Sequence, residues 1–274
     1  MKKKSIIKIW AMVLIVPAIA IVCAAFTANK PHQRSTKQNT SMNTTAEKPT
    51  LVFVHGLWAD GSCWNDVIHQ FQSEGYEAVS AQNPTSSLAD DIAAVKRALA
   101  RTTGPVLLIG HSWAGFVITQ FADEPRVKGL VYVAALMPDE GESPNILLKK
   151  GPANHLNDYL VTHDGFITLS KEGMAKGFAQ DLSPAQQMVM YATQTPAGAV
   201  AFDDKSAAPA WKTKPTWVVV AKRDKTVHPD LERFMAKRAN AKTVEIDANH
   251  VVMMSKPKEV AAVIREAIKG TDKN

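Results

Sequence analysis

Cysteine is scarce: 274 residues carry two, Cys23 and Cys63, too few for a disulfide framework. Cys23 falls within an apolar leader, so Cys63 is alone in the mature region and no intramolecular disulfide can form there, even in an oxidising compartment. Cys63 fits a small apolar position on a helix. Internal repeats are lacking as well, which excludes solenoid and array architectures. At 46% hydrophobic content the chain holds enough apolar material for one large core, but not the length for two ordinary enzymatic domains. The net charge of +6 is weak support for nucleic-acid binding, because Lys2, Lys3, Lys4, Lys8, Lys30, Arg34 and Lys37 precede the expected folded body. No nucleic acid is expected as a partner.

What the chain does have begins with Met1-Lys-Lys-Lys-Ser5, an apolar run over 9–22 and small residues at Cys23-Ala-Ala25, the pattern of an export signal. Cleavage there makes residues 1–28 a signal peptide; retention makes them a membrane anchor, since 9–26 approaches the roughly 18–20 residues that cross a bilayer. In either case the folded part is expected outside the cytoplasm: secreted, periplasmic or on the outer face of the cell envelope. Val22 is bulkier than the small residue that normally precedes a lipidated cysteine. Residues 29–48 are polar and poor in large apolar side chains, as a flexible linker would be, and folding should start near Pro49.

From there, short β-branched runs alternate with amphipathic stretches, the pattern of parallel strands joined by crossover helices. Strands are expected at 50–54, 77–81, 106–109, 129–134, 217–221 and 243–246, with helices at 63–73, 87–101, 114–122, 229–238 and 257–269. The alternation fails between Met137 and Pro215. That stretch has helical pieces at 171–180 and 184–193, a β-like Phe166-Ile-Thr-Leu169 and many glycines and prolines, which suits a lid inserted into the sheet framework.

The central motif is Val106-Leu-Leu-Ile-Gly-His-Ser-Trp-Ala-Gly115, a buried-strand run that turns at Gly110 and opens an apolar helix. Such a turn holds the Ser112 hydroxyl on a strained corner where it can act as a nucleophile; the alternative is a serine that merely caps the helix. Ala114 departs from the usual last glycine but keeps the side chain small. A serine needs a base, and the base an orienting acid. His250 follows the last strand and precedes the last helix, at the carboxyl edge of the sheet where ligands bind in open α/β folds. His32 falls in the linker, His69 on a helix and His155 and His163 in the lid. His111 sits on a turn expected to point it elsewhere, and His228 fits an exposed helix cap.

Asp224, in the loop after residues 217–221, is the leading acid, and its alternative is a turn aspartate paired with Arg223 or Lys225. The order Ser112, Asp224, His250 matches the nucleophile, acid, histidine order of this kind of fold. Asp139 is the runner-up acid, while Asp247 is too close in sequence to turn back onto the His250 ring. Two backbone amides are candidates for an oxyanion hole: Trp113, at a helix start, and Leu57, in the loop after the first strand. In that loop His55 and Trp58 are candidate pocket residues; His55 equally suits a structural role, and Gly56 is expected to supply unusual backbone angles.

With these residues in hand, the chain resembles the α/β-hydrolase superfamily over nearly all of 50–268. Phe53-Val-His-Gly-Leu-Trp58, Gly110-His-Ser-Trp-Ala-Gly115 and Asn249-His-Val-Val-Met-Met-Ser-Lys-Pro257 are similar to the branch that holds plant methylesterases, hydroxynitrile lyases and many bacterial carboxylesterases. The resemblance implies an α/β fold over 49–274 with an eight-stranded, mostly parallel sheet. It also implies a helical cap at about 139–214, no metal or cofactor, and a triad mapping onto Ser112, His250 and Asp224. The lyases resembled here carry a lysine after the catalytic histidine and a threonine after the first-loop histidine. Val251 and Gly56 stand there instead, which disfavours cyanohydrin cleavage. Haloalkane dehalogenases and epoxide hydrolases use an aspartate where this chain has Ser112.

The expected activity is hydrolysis of carboxylic esters of small or medium apolar substrates through an acyl-enzyme. The alternatives are an acyltransferase or a metal-free perhydrolase on the same triad, and a non-catalytic protein that binds a small ligand. The expected partner is a small-molecule ester, with membrane contact only through an uncleaved N-terminal segment.

Overall fold

The structure, a computed structural model, describes residues 47–153 and 156–271. The export segment and all but the last two residues of the linker lie outside these. Six strands form the central sheet: β1 (Thr50–Val54), β2 (Ala78–Ala81), β3 (Val106–His111), β4 (Val127–Val133), β8 (Thr216–Ala221) and β9 (Lys242–Ile246). They run in the order β2-β1-β3-β4-β8-β9, and every pairing is parallel. β1, β3 and β8 are buried along their whole length. A parallel strand covered by helices on both faces has no solvent side, so its sequence is a continuous apolar run rather than an alternation.

The sheet has six strands among the described residues, where the family resemblance implied eight. It opens at Thr50, directly after the linker segment, and its edges are β2 and β9. Four of the five β9 residues are exposed, Lys242 and Glu245 among them, which suits a strand that closes a sheet.

Crossover helices α1 (Asn65–Ser73), α2 (Leu88–Leu99), α3 (Trp113–Ile118) and α7 (Pro229–Arg238) connect the strands, and α9 (Pro257–Thr271) follows the last of them. α9 packs against α1, β4 and β8, while α2 packs against α3. Cys63 is buried in a one-turn 3₁₀ segment, Gly61–Trp64, just ahead of α1 rather than on the helix itself.

Between β4 and β8 the chain leaves the sheet. It forms α4 (Pro144–Leu148) and a small antiparallel sheet of β5 (Leu160–His163), β6 (Phe166–Leu169) and β7 (Ala197–Gly198). The helix expected over 171–180 is instead a single turn, α5 (Lys171–Gly173), continuing as a π-helical turn over Met174–Phe178. Gly173 and Gly177 lower the helical preference there, and such wide turns recur near functional sites. α6 (Pro184–Thr193) starts at a capping box in which Ser183 and Gln186 satisfy each other's backbone amides. The last helix before α9 is the short α8 (Val252–Ser255).

Candidate active site

Ser112 sits between the last residue of β3 and the first of α3, with φ +56° and ψ −123°. An L-residue held at positive φ is strained, and the strain lifts the hydroxyl clear of the sheet edge. Glycine on both sides makes the turn fit. A Cβ on Gly110 would stand 2.8 Å from the Ala114 carbonyl oxygen, where α3 folds back over β3. A Cβ on Gly56 would stand 2.7 Å from Ser112 Cβ and 2.9 Å from the His111 carbonyl oxygen. Gly56 is therefore required for close approach of the first loop to the turn, not for its backbone angles. The positive φ of that loop, +58°, belongs to Trp58.

Three strand ends bring the candidate chemistry together. His250 Nε2 lies 2.8 Å from Ser112 Oγ, and His250 Nδ1 donates to Asp224 Oδ2 at 2.5 Å. Asp224 Oδ1 accepts from the Thr226 and Val227 amides at 2.6 and 3.0 Å, so the carboxylate is aimed as well as buried. With Nδ1 committed to donation, Nε2 is left as the acceptor for the serine hydroxyl proton. His250 and the Asp224 side chain are shielded from solvent, whereas Ser112 opens onto a cavity of about 600 Å³.

Leu57, Trp58 and Trp113 border the same cavity as Ser112. Trp113 is the first residue of α3, and the first amides of a helix have no partner within it. Trp58 donates its indole N–H to the Ile167 carbonyl at 3.0 Å, tethering the first loop to β6. His55 is not a pocket residue. It is almost wholly buried, its Nδ1 bonds to the Gly56 carbonyl at 2.9 Å, and burial pulls its pKa below the ordinary histidine value. Its neutral ring braces the loop from behind.

The other candidates separate cleanly. Asp139 forms an ion pair with Lys212 at 2.6 Å and does not face His250. Asp247 pairs with Arg223 at 2.8 Å. His228 caps α7, its Nδ1 accepting from the Asp230 amide at 3.2 Å, and it also borders the cavity. His163 is exposed on β5 and His69 lies on α1, while His32 and His155 fall outside the described residues. Among the described residues no group of three or more His, Cys, Asp or Glu is placed to hold a metal ion.

His111 corrects the sequence expectation. Its Nε2 donates to the His250 backbone carbonyl at 3.0 Å, and the two rings lie 4.6 Å apart. Burial, together with the neighbouring His250, keeps His111 well below the usual histidine pKa, so it is a neutral brace rather than a second base. Phe178, from the π-helical turn, packs its ring 5.0 Å from that of His250 and edge-on to that of His111 at 6.4 Å. Glu232 lies against Asp224 from α7. Burial, then the Asp224 charge, push its carboxyl well above the ordinary range, and its Oε2 accepts from the Ala221 amide at 3.2 Å. Nothing in the local sequence marked Phe178. Glu232 carried a faint signal, an acid within the buried stripe Leu231, Glu232, Met235 and Ala236.

A parallel sheet with a strained serine at the end of a central strand, facing a histidine and an aspartate from two later strand ends, defines an α/β-hydrolase architecture. Residues 51–263 match the model of the alpha/beta hydrolase family, and the chain belongs to it. It is 28% identical over 253 residues to methylesterase 7 of Arabidopsis thaliana, covering 79% of this chain and 95% of that one. A shorter match, 31% over 117 residues, links it to a carbendazim hydrolyzing esterase of Nocardioides sp. (strain SG-4G), over 36% of this chain and 47% of that one. The crystal structure of a pyrethroid hydrolase from Sphingobium faniae JZ-2 shares the fold, with a TM-score of 0.70 at 21% identity over 82% of this chain and 99% of that one.

Proposed function

We propose that this protein is a serine carboxylesterase that cleaves esters of small or medium apolar substrates through an acyl-enzyme. The observation that carries this is the continuous hydrogen-bonded path from Asp224 through His250 to Ser112, ending at the cavity. Ser112 Oγ attacks the ester carbonyl carbon while His250 Nε2 takes its proton, and the electron pair of the C=O bond moves onto oxygen. The Leu57 and Trp113 amides, both from residues that border the cavity, are the donors assigned to that oxygen. Collapse re-forms the carbonyl and expels the alcohol, which receives the proton from His250; water then repeats the sequence and releases the acid. Asp224 holds the ring in the tautomer that accepts from serine and stabilises the imidazolium.

Leu148, Leu156, Leu160, Ile167 and Phe202 line the cavity, which favours an apolar acyl or alcohol group. The names of the relatives, a methylesterase and a carbendazim hydrolyzing esterase, support ester chemistry. Val251 and Gly56, in place of the lysine and threonine of the lyases, support it over cyanohydrin cleavage. The lysine-rich start followed by the apolar run over 9–22 supports export, with the catalytic domain outside the cytoplasm. Finding the full-length chain, N-terminus intact, in the soluble cytoplasm contradicts that placement.

The test is turnover of a panel of p-nitrophenyl esters by the folded domain beside Ser112→Ala and His250→Ala. Both variants are expected to lose about 10⁴-fold or more in kcat. Undiminished turnover in Ser112→Ala overturns the mechanism.

A further inference from the structure

Asp91 is a fully buried acid that takes no part in the Ser112, His250 and Asp224 path. It lies on the inward stripe of α2, between Leu88 and Val95, where the helical period calls for an apolar side chain. Three donors converge on it. The Trp113 indole N–H reaches Oδ2 at 2.7 Å, the Asn83 amide reaches Oδ2 at 3.0 Å, and the Thr85 backbone N–H reaches Oδ1 at 2.7 Å. Every partner is a donor, so the site is built for a carboxylate. Burial holds this carboxyl above the ordinary aspartate value, and the three hydrogen bonds offset only part of that rise.

The network leads to both sides of the candidate oxyanion hole. Asn83 Nδ2 also donates to the His55 carbonyl at 3.2 Å, two residues before Leu57. That amide therefore faces two acceptors, which fixes its orientation. On the other side the Trp113 ring is held by Asp91 at its nitrogen and stacked on Phe116, with centroids 5.2 Å apart and planes 9° from parallel. The third arm, Thr85, is at φ +56° and accepts from the Gly198 amide at 2.8 Å. One carboxylate thus touches the residue that carries one amide donor and, through Asn83, the loop that carries the other.

We infer that Asp91 is a positioning residue that locks Trp113 and the Leu57 loop into one frame, setting the spacing of the two amides that receive the developing oxyanion. This rests on the acyl-enzyme function proposed above. A buried charge is costly unless fully hydrogen-bonded, and a fully satisfied buried network is rigid. Rigidity is what the hole requires, because a displacement of about 1 Å at a catalytic group costs roughly 10²-fold in rate.

The test uses an aryl trifluoromethyl ketone, whose carbonyl carbon takes Ser112 Oγ to form a hemiketal oxyanion that sits where the transition-state oxygen sits. The readout is its Ki relative to the KM of a p-nitrophenyl ester. Asp91→Asn is expected to raise Ki about 10²-fold and lower kcat by a similar factor, with KM changed by less than about threefold. Trp113→Phe, which keeps an aromatic side chain and removes the donor to Asp91 together with part of the indole's buried volume, is expected to raise the ratio of Ki to KM about tenfold. Equal rises of Ki and KM in Asp91→Asn, or an unchanged ratio in Trp113→Phe, overturn the inference; if Asp91→Asn does not fold, Trp113→Phe decides alone. Ser112→Ala, run in parallel, separates the two claims. Turnover in that variant removes the acyl-enzyme itself, whereas an inactive Ser112→Ala beside an unchanged Trp113→Phe removes only the role of Asp91.

Discussion

Asp181 holds Asn249 through two hydrogen bonds of 2.6 Å, one from the backbone N–H and one from the side-chain amide. Asn249 immediately precedes His250. The same carboxylate pairs with Arg223 at 3.2 Å, and Arg223 immediately precedes Asp224. A single acid from the segment between β4 and β8 therefore ties together the two loops that carry the base and its orienting acid. Asp181→Ala is expected to destabilise the fold by about 2 kcal/mol, the usual worth of hydrogen bonds to a charged, largely buried group. It should also lower kcat about tenfold by loosening His250. Urea unfolding and ester kinetics on the same preparation check both effects, and an unchanged kcat would show that His250 keeps its place without the clamp.

The carboxylate assignment has its own discriminating pair. Asp224→Asn should lower kcat about 10⁴-fold, since an amide in place of the carboxylate favours the wrong imidazole tautomer. Asp139→Asn should stay within about twofold of the parent, because Asp139 is engaged with Lys212 at the surface. The reverse result in a steady-state assay transfers the role to Asp139.

Gly56→Ala tests the steric account of the first loop. The new methyl would meet Ser112 Cβ and the His111 carbonyl inside normal contact distance, so either the loop or the serine turn must shift. A loss of about 1–3 kcal/mol is expected from the overpacking, with kcat falling about 10²-fold as the Leu57 amide is displaced. Thermal unfolding and kinetics measure these, and wild-type values in both contradict the close approach.

Glu232 gives the pH prediction. Its carboxyl is raised on folding, by burial first and by the Asp224 charge second. A group with a raised folded pKa contributes stability that is full below its unfolded value, about 4.3, and is lost as pH rises through the folded value. Glu232→Gln keeps an acceptor for the Ala221 amide and a donor toward Asp224 without the titrating proton. Its stability should match the parent near pH 4 and exceed it near pH 8. A variant that is less stable than the parent at pH 8 contradicts a raised Glu232 carboxyl.

The serine turn, the histidine and the acid were legible because each leaves a local mark. Gly110 and Ala114 flank Ser112, and Asp224 and His250 each follow a β-branched run that is unmistakably a strand. The supporting residues were not legible, because their roles arise from contacts distant in sequence. Asp181 and Asn249 are 68 positions apart, and Phe178 reaches His250 from a turn that interrupts the expected helix. His111 was misjudged for a related reason: its partner is the backbone of His250, 139 residues away. Asp91 and Glu232 did leave a trace, an acid on the buried stripe of an otherwise ordinary amphipathic helix. The count of eight strands rested on family resemblance alone, whereas the six strands read from the sequence itself are the six of the central sheet among the described residues.

The most direct measurement is covalent. Diethyl p-nitrophenyl phosphate should place a single diethylphosphoryl group on Ser112, seen by intact mass and peptide mapping, with p-nitrophenolate released and ester turnover lost in proportion. His250→Ala should label far more slowly. Full modification of Ser112 with turnover intact, or labelling elsewhere while Ser112→Ala still cleaves esters, contradicts the acyl-enzyme account.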